Sequence, residues 1–381
     1  MAVEVSAEEQ MMLEVIGDLV RDKVAPRAAE IDAKGEFPWD MKALLAEQGI
    51  LGMPFPEEYG GLGSSELTIL KTIETIAKAC ATTALLLCVQ QLGALPILLA
   101  GTDEQKQRFI PRLASGEWLA AYALTEPGSG SDAGGMLTRA VKRGDTYVLN
   151  GLKHFITNAG VAHINTVFAV TEDEHGQAQG TSCFVVEADR PGFRLGNVEN
   201  KMGIRGSQTG ELVFEDCVIP AENLLGSPGE GFKIALRTLD RTRPGIAAQA
   251  LGIAQGALDF AVGYAKQRVQ FGRPIIENQG IQFMLADMDI KVEAARRLIY
   301  HVGELMDTGV PRFSRESAIA KTYASDIAME VTNDAIQVLG GYGYMKEYPV
   351  ERMLRDAKIC QIYEGTNQIQ RLVIARSLAR D

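Results

Sequence analysis

Gln361-Ile362-Tyr363-Glu364-Gly365-Thr366-Asn367-Gln368-Ile369-Gln370-Arg371 sets one carboxylate on an aromatic-to-glycine break just before a helix-forming tail. Tyr363 and Ile362 would make an apolar wall that desolvates Glu364 and raises its pKa, and Gly365 would let a substrate approach the backbone closely. A carboxylate so placed can act as a base. The plainer alternative is a Glu in the first turn of a helix, favoured there by the helix dipole.

Upstream of this turn the texture is helical back to the turn-like Pro228-Gly229-Glu230-Gly231. Ile281, Met284, Leu285 and Met288 follow an i, i+3, i+4, i+7 pattern, while Ala247, Ala248, Ala250, Gly252, Ala254, Gly256 and Ala257 allow close helix packing. An antiparallel bundle is the natural architecture. Before it, Thr146-Tyr147-Val148-Leu149 and the segments 166–170, 182–186 and 212–214 are separated by Gly, Asn and Asp clusters and read as strands of a compact β domain. Earlier still the pattern is helical: Ser6 with Glu9 reads as a capping box ahead of Met12, Leu13, Ile16, Leu19 and Val20. A turn-rich connection at 54–63 leads to two apolar helical runs near 67–81 and 84–99. The expected fold is α+β and multidomain, with an N-terminal α-helical domain (1–118), a middle β domain (119–230) and a C-terminal helical bundle (231–381).

With 381 residues and 46% hydrophobic content, the chain can bury a substantial core in two or three domains. A net charge of −11 argues against a general nucleic-acid or anionic-membrane surface, so a phosphate-bearing ligand would have to be held locally. The uncharged stretch 79–102 is broken by Thr82, Thr83, Gln90, Gln91 and Pro96, and reads as a buried helix and not a membrane span. The acidic start, 1–9, lacks the apolar region of a signal peptide. Cys80, Cys88, Cys183, Cys217 and Cys360 have no CxxC spacing and suit free thiols in a reducing compartment, so a cytoplasmic protein is expected. His154, His163, His175 and His301 form no HxxxH or HxH pair, and no protein-built metal site is expected. Redox chemistry would need a bound organic cofactor.

Gly128-Ser129-Gly130-Ser131 offers backbone N–H groups and hydroxyls that could approach a pyrophosphate, though a plain surface loop is the default for such a cluster. Gly128-x-Gly130-x-x-Ala133 imitates a dinucleotide fingerprint, but it follows Pro127 and lacks a βαβ context, which rejects a Rossmann reading.

The segment around Glu364 resembles the C-terminal signature of the acyl-CoA dehydrogenases, and further segments match that family in its order. They are 122–132, Phe155-Ile156-Thr157-Asn158, Asp240-Arg241-Thr242-Arg243, 267–272 and 337–343, so the resemblance spans about 8–379. It implies FAD-dependent α,β-dehydrogenation of an acyl-CoA thioester to the 2-enoyl-CoA. Glu364 removes the α-proton, its backbone N–H and an FAD ribityl hydroxyl hold the thioester oxygen, and flavin N5 accepts the β-hydride.

The resemblance assigns Tyr122, Leu124, Thr125, Gly130 and Ser131 to FAD, with Ser131 also near the substrate. Phe155 stands where many relatives have Trp beside the flavin, and Thr157 resembles the hydroxyl residue near N5. Arg268 and Gln270 fall to the FAD phosphates of a neighbouring subunit, Phe271 joins the cofactor set, and Gln279, Gln337, Gly340 and Gly341 fall to the neighbour's contribution at the adenosine end. Thr366 and Gln368 join the cofactor set, and Asp240, Arg243 and Gly365 the substrate set. By themselves Phe155 would read as a core aromatic, Thr157 as a structural strand residue, Arg268 as a solvated helix end, Gly340-Gly341 as a turn and 240–243 as a solvated charge run. Thr242 lies near the position where some branched-chain and long-chain relatives place their base; as Thr it leaves Glu364 unopposed.

A homotetramer, built as a dimer of dimers, and an electron-transfer flavoprotein as acceptor are further implications of the resemblance. An acyl-CoA oxidase or enoyl-CoA reductase on the same scaffold, and a catalytically silent acyl-CoA-binding protein, are the alternatives. No Lys or Arg occurs between Ala84 and Ala100, which disfavours a glutaryl-type substrate and leaves straight, branched, cyclic and aryl-substituted chains open.

Overall fold

Ser6 begins the portion described by the computed structural model, residues 6–379, so part of the N-terminal reading lies outside the described residues. The capping box forms as expected. Ser6 Oγ accepts from the Glu9 backbone N–H and the Glu9 carboxylate accepts from Ser6 N, which starts α1 (Ala7–Leu19). Of its apolar positions only Ile16 is fully buried, and the chain continues through a wider π-helical turn, Val20–Val24. Glu9 also accepts from Ser65 Oγ at 2.6 Å and Thr68 Oγ1 at 2.8 Å, at the start of a later helix. Burial alone would raise its pKa, but the hydrogen bonds from Ser65, Ser6 and Thr68 bring it down to about 2.

Five more helices precede the first strand: α2 (Ala28–Lys34), α3 (Trp39–Glu47), α4 (Glu66–Ala79), α5 (Ala81–Ala100) and α6 (Asp103–Ala114). α5 and one later helix are long and apolar enough to cross a membrane, yet both are mostly packed inside the protein. On α5, Gln90 donates to the carbonyls of Leu113 and Trp118 and accepts from Ala120 N, fastening the helix to the sheet that follows.

The sheet contains β1 (Ala120–Ala123), β2 (Arg139–Arg143), β3 (Thr146–Thr157), β4 (Ile164–Glu172), β5 (Ala178–Glu187), β6 (Phe193–Val198), β7 (Thr209–Pro220) and β8 (Leu224–Leu225). Its order is β6-β7-β3-β2-β4-β5-β8, with β1 parallel to β4. Each of the four expected strand segments lies within one of these strands. Register shifts at Gly151 and after Lys153 bend β3 just before Phe155.

α7 (Gly231–Gln267) follows, 37 residues long and about 55 Å by helical rise. A short hairpin, β9 (Val269–Gln270) with β10 (Arg273–Pro274), turns the chain into α8 (Gln279–Asp307), α9 (Ser314–Leu339), α10 (Pro349–Ile359) and α11 (Asn367–Leu378). The alanine- and glycine-rich run of α7 permits close approach, since a Cβ on Gly252 or Gly256 would strike the carbonyl oxygens of Glu74 or Lys78 on α4. One continuous apolar core therefore joins the N-terminal helices to the C-terminal bundle, including Ile73, Leu85, Leu251, Ile299 and Val331.

Candidate active site

Glu364 lies outside any helix, in the turn between α10 and α11, with φ +52°, and Gly365 follows at φ +94°. Left-handed backbone is costly for a residue with a Cβ and persists only where its surroundings hold it. Three side chains hold this turn by its carbonyls. Gln370 Nε2 donates to Glu364 O at 3.2 Å and Gly365 O at 3.0 Å, Lys321 Nζ to Gly365 O at 2.8 Å, and Arg243 Nε to Glu364 O at 3.4 Å. A Cβ at position 365 would strike Gln370, so Gly365 makes room for this clamp. The Glu364 N–H makes no hydrogen bond within the described residues and is free to serve a ligand.

Glu364 is half-buried and keeps some accessible surface. Burial raises its pKa to about 7, against the opposing hydrogen bond from Thr242 and the positive charges of Arg243 and Lys321. Ile362 is 48% exposed and does not form the wall that its position in sequence suggests. The groups that share Glu364's field are Tyr363 beside it, Cys88 on α5 and Tyr122 on β1. Tyr122 donates its hydroxyl to Ala235 O on α7 at 3.3 Å, which binds sheet to bundle at the edge of the site.

α7 supplies the opposite side. Pro244 has no N–H to give, so the Asp240 carbonyl a turn earlier is left open and accepts from Ser317 Oγ at 3.0 Å. Asp240 also pairs with Arg243, whose side chain is almost fully buried. That burial removes the solvated-charge reading for Arg243, though not for exposed Arg241, and its Nε reaches the Glu364 carbonyl. Thr242 Oγ1 donates to Glu364 Oε2 at 2.7 Å.

The middle-domain positions gather around a buried ion pair. Lys153 Nζ donates to Glu126 Oε1 at 2.8 Å and Leu124 O at 3.0 Å, while Glu126 also accepts from the N–H groups of Leu137 and Thr138 at 2.6 and 2.9 Å. His154 N donates to Thr125 O at 2.9 Å, placing Leu124 and Thr125 beside the end of β3 that carries Phe155 and Thr157. Phe155 is 60% exposed at φ +56° and stacks on His154 at 4.0 Å, so it is not a core aromatic. Gly130 and Ser131 sit exposed at the tip of the 126–132 loop, and a Cβ on Gly128 or Gly130 would meet nothing.

Arg268, Gln270, Phe271, Gly340 and Gly341 line a separate cavity of about 690 Å³ with Tyr264 and Tyr342. The Arg268 guanidinium stands over the Tyr342 ring at 5.3 Å, and Phe271 is 98% exposed. Gln279 begins α8 next to Asn278 of that cavity, and Gln337 lies exposed on the last turn of α9. No hydrogen bond or ion pair among the described residues joins this cavity to the β-domain positions. Thr366 caps α11 with its hydroxyl, and Gln368 is exposed on the first turn.

Sequence reasoning missed Lys321, Gln370, Lys153 and Glu126. Lys321 carried a signal, because it falls on a stripe of small residues, Ser317, Ala318, Ala324, Ser325 and Ala328, that spells a buried helix face. A cation on such a face must find partners inside the protein.

With this geometry in hand, residues 6–117, 121–217 and 229–379 match the N-terminal, middle and C-terminal domains of acyl-CoA dehydrogenase, respectively. An acyl-CoA dehydrogenase of Bacillus subtilis (strain 168) is 50% identical over 375 residues, 98% of each chain. The butyryl-CoA dehydrogenase of Megasphaera elsdenii is 48% identical with a TM-score of 0.95, both chains covered in full. A chain from the structure of the electron transferring flavoprotein of Acidaminococcus fermentans, also 48% identical and covered in full on both sides, reaches a TM-score of 0.96. The α-helical, β and α-helical domains, and the sequence along all three, place this oxidoreductase in the acyl-CoA dehydrogenase family.

Proposed function

We propose that the protein dehydrogenates an acyl-CoA thioester to the 2-enoyl-CoA, with Glu364 as the base that removes the α-proton. The supporting observation is a half-buried carboxylate held by Thr242, its pKa brought to about 7, beside its own backbone N–H, which is unpaired among the described residues. A thioester α-proton is only weakly acidic, so its removal needs the negative charge developing on the thioester oxygen to be stabilised. The free Glu364 N–H is suited to donate there, next to a turn whose 364 and 365 carbonyls are clamped by Gln370 and Lys321.

FAD, when bound, supplies the acceptor for the β-hydride. The residues fit such a group: the 126–132 loop is open above its glycines, Phe155 presents an exposed ring, and Arg268 offers a cation in a roomy cavity. In this reading Leu124, Thr125, Ser131, Phe155 and Thr157 hold the cofactor within one chain. Arg268, Gln270 and the 340–341 turn reach it from a second copy, in a homotetramer. Electrons leave to an electron-transfer flavoprotein. Free buried thiols suit a cytoplasmic setting.

The acyl group is uncharged at its far end in our reading. α5 offers no cation, Gln90 is fully occupied by backbone, Gln91 faces Glu66, and Cys88 is the α5 group in the field of Glu364. Anaerobic flavin bleaching across an acyl-CoA panel tests this, with bleaching by an uncharged chain and none by glutaryl-CoA as the expected result. Rapid reoxidation in air with stoichiometric peroxide would move the protein to the oxidase reading. Protein left colourless after incubation with FAD would favour a silent acyl-CoA binder.

A further inference from the structure

Lys321 is fully buried on α9, and its ammonium touches no carboxylate among the described residues. Its Nζ contacts are the Gly365 carbonyl at 2.8 Å and Asn367 Oδ1 at 3.0 Å. One helical turn on, Asp326 accepts from Gln361 and Asn367, each at 2.7 Å, and from Arg371 at 2.9 Å. α9 therefore grips the 361–371 segment on both sides of Glu364.

The charges around the turn pair off and leave two. Asp240 belongs to Arg243, both on α7, and Asp326 on α9 to Arg371 on α11. The remaining titratable neighbours are neutral near pH 7. Burial pushes Cys360 at the end of α10 up to about 12, Cys88 on α5 well above the usual thiol range, and Tyr122 on β1 and Tyr363 well above the usual phenol range. What remains is the Lys321 ammonium below the turn and the Glu364 carboxylate above it. Each favours the charged form of the other, although burial still brings Lys321 down to about 8, and Arg243 acts on Glu364 ahead of Lys321.

We propose that Lys321 is a positioning residue for proton abstraction: docked on the Gly365 carbonyl, it fixes the left-handed Glu364–Gly365 turn and adds a buried positive charge, beside that of Arg243, that favours the ionised Glu364 carboxylate. The proposal rests on Glu364 being the base. It explains why a long cation is buried under this one turn, where a smaller neutral residue could fill the space without the cost of desolvating a charge.

The test is stopped-flow anaerobic bleaching of FAD-loaded enzyme by acyl-CoA between pH 6 and 9.5, for wild type, Lys321→Gln, Lys321→Met, Lys321→Arg and Glu364→Gln. Gln keeps a donor for the Gly365 carbonyl without the charge, Met removes both, and Arg restores a cation. We expect the Gln and Met variants to need a pH higher by about one unit or more, with bleaching at neutral pH down about ten-fold per unit and recovering in alkali. The Arg variant should return toward the wild-type profile, and the Kd for enoyl-CoA product should change less than the rate. An unchanged profile in the Gln and Met variants, or a loss equal at every pH, overturns the proposal; should the Met variant not fold, the Gln variant decides alone. Bleaching by Glu364→Gln would instead remove the base assignment, while an inert Glu364→Gln beside normal Lys321 variants removes only the role given to Lys321.

Discussion

Thr242 Oγ1 donates a 2.7 Å hydrogen bond to Glu364 Oε2 from 122 residues earlier in the chain. The same hydroxyl lies 3.3 Å from Thr238 O within α7, but it has one proton, and the shorter, charge-assisted bond to the carboxylate is the stronger claim on it. Thr242 thus orients the carboxylate and favours its ionised form while burial disfavours it.

The pH dependence follows with a definite sign. Glu364 is raised from 4.5 to about 7, so below that pH it is protonated and cannot accept the α-proton. Bleaching should rise about ten-fold per pH unit below 7 and level off above. Thr242→Val removes a hydrogen bond of about 1.5–3 kcal/mol to the charged form and should move this limb up by about one pH unit, with rates converging near pH 9. A limb that stays in place in the variant contradicts the role of Thr242. For the cofactor-free fold the raised value works the other way: Glu364's contribution to stability is fully present below pH 4.5 and is lost as pH rises to about 7.

Glu126→Gln should destabilise the middle domain by about 3–5 kcal/mol and loosen FAD, because it leaves Lys153 buried without its countercharge. Adding Lys153→Met should recover much of that loss, since the double variant buries no unpaired charge. Thermal melts and FAD release by both variants check this. A double variant worse than the single one would show that the ion pair is not the support of the 126–138 loop.

Arg268→Ala should weaken FAD retention about ten- to a hundred-fold and reduce tetramer assembly with it. The loss corresponds to a charge-assisted hydrogen bond of about 1.5–3 kcal/mol made across a subunit boundary. FAD titration and sedimentation velocity on the same preparations read both quantities. Unchanged FAD affinity and unchanged oligomer size remove the intersubunit role, leaving Arg268 as the partner of the Tyr342 ring.

Local patterns made much of this fold legible in the sequence. The Ser6–Glu9 box, the short apolar segments in β3, β4, β5 and β7 bounded by Gly, Asn and Asp clusters, and the small-residue run of α7 depend on neighbours a few positions apart, and they formed as read. Glu364 was singled out by the family resemblance, because the aromatic, the glycine and the helix start around it left a plain first-turn Glu equally open. Its support was not, because Thr242 and Lys321 reach it from other helices, and no pattern in 361–371 encodes φ +52° at Glu364. The core-aromatic alternative for Phe155 failed for a related reason: an aromatic in a strand reads as core, and the register shift after Lys153 that turns it outward is a property of the pairing with β7.

The central claim is that Glu364 takes the α-proton, and Glu364→Gln tests it most directly because the amide keeps the shape and size of the side chain. Purified variant, loaded with FAD, is mixed anaerobically with an acyl-CoA that bleaches the wild type, and flavin absorbance is followed alongside acyl-CoA binding. The account predicts yellow protein that binds the thioester with its bleaching rate down by at least about a hundred-fold at every pH. Bleaching by the variant at close to the wild-type rate would contradict it.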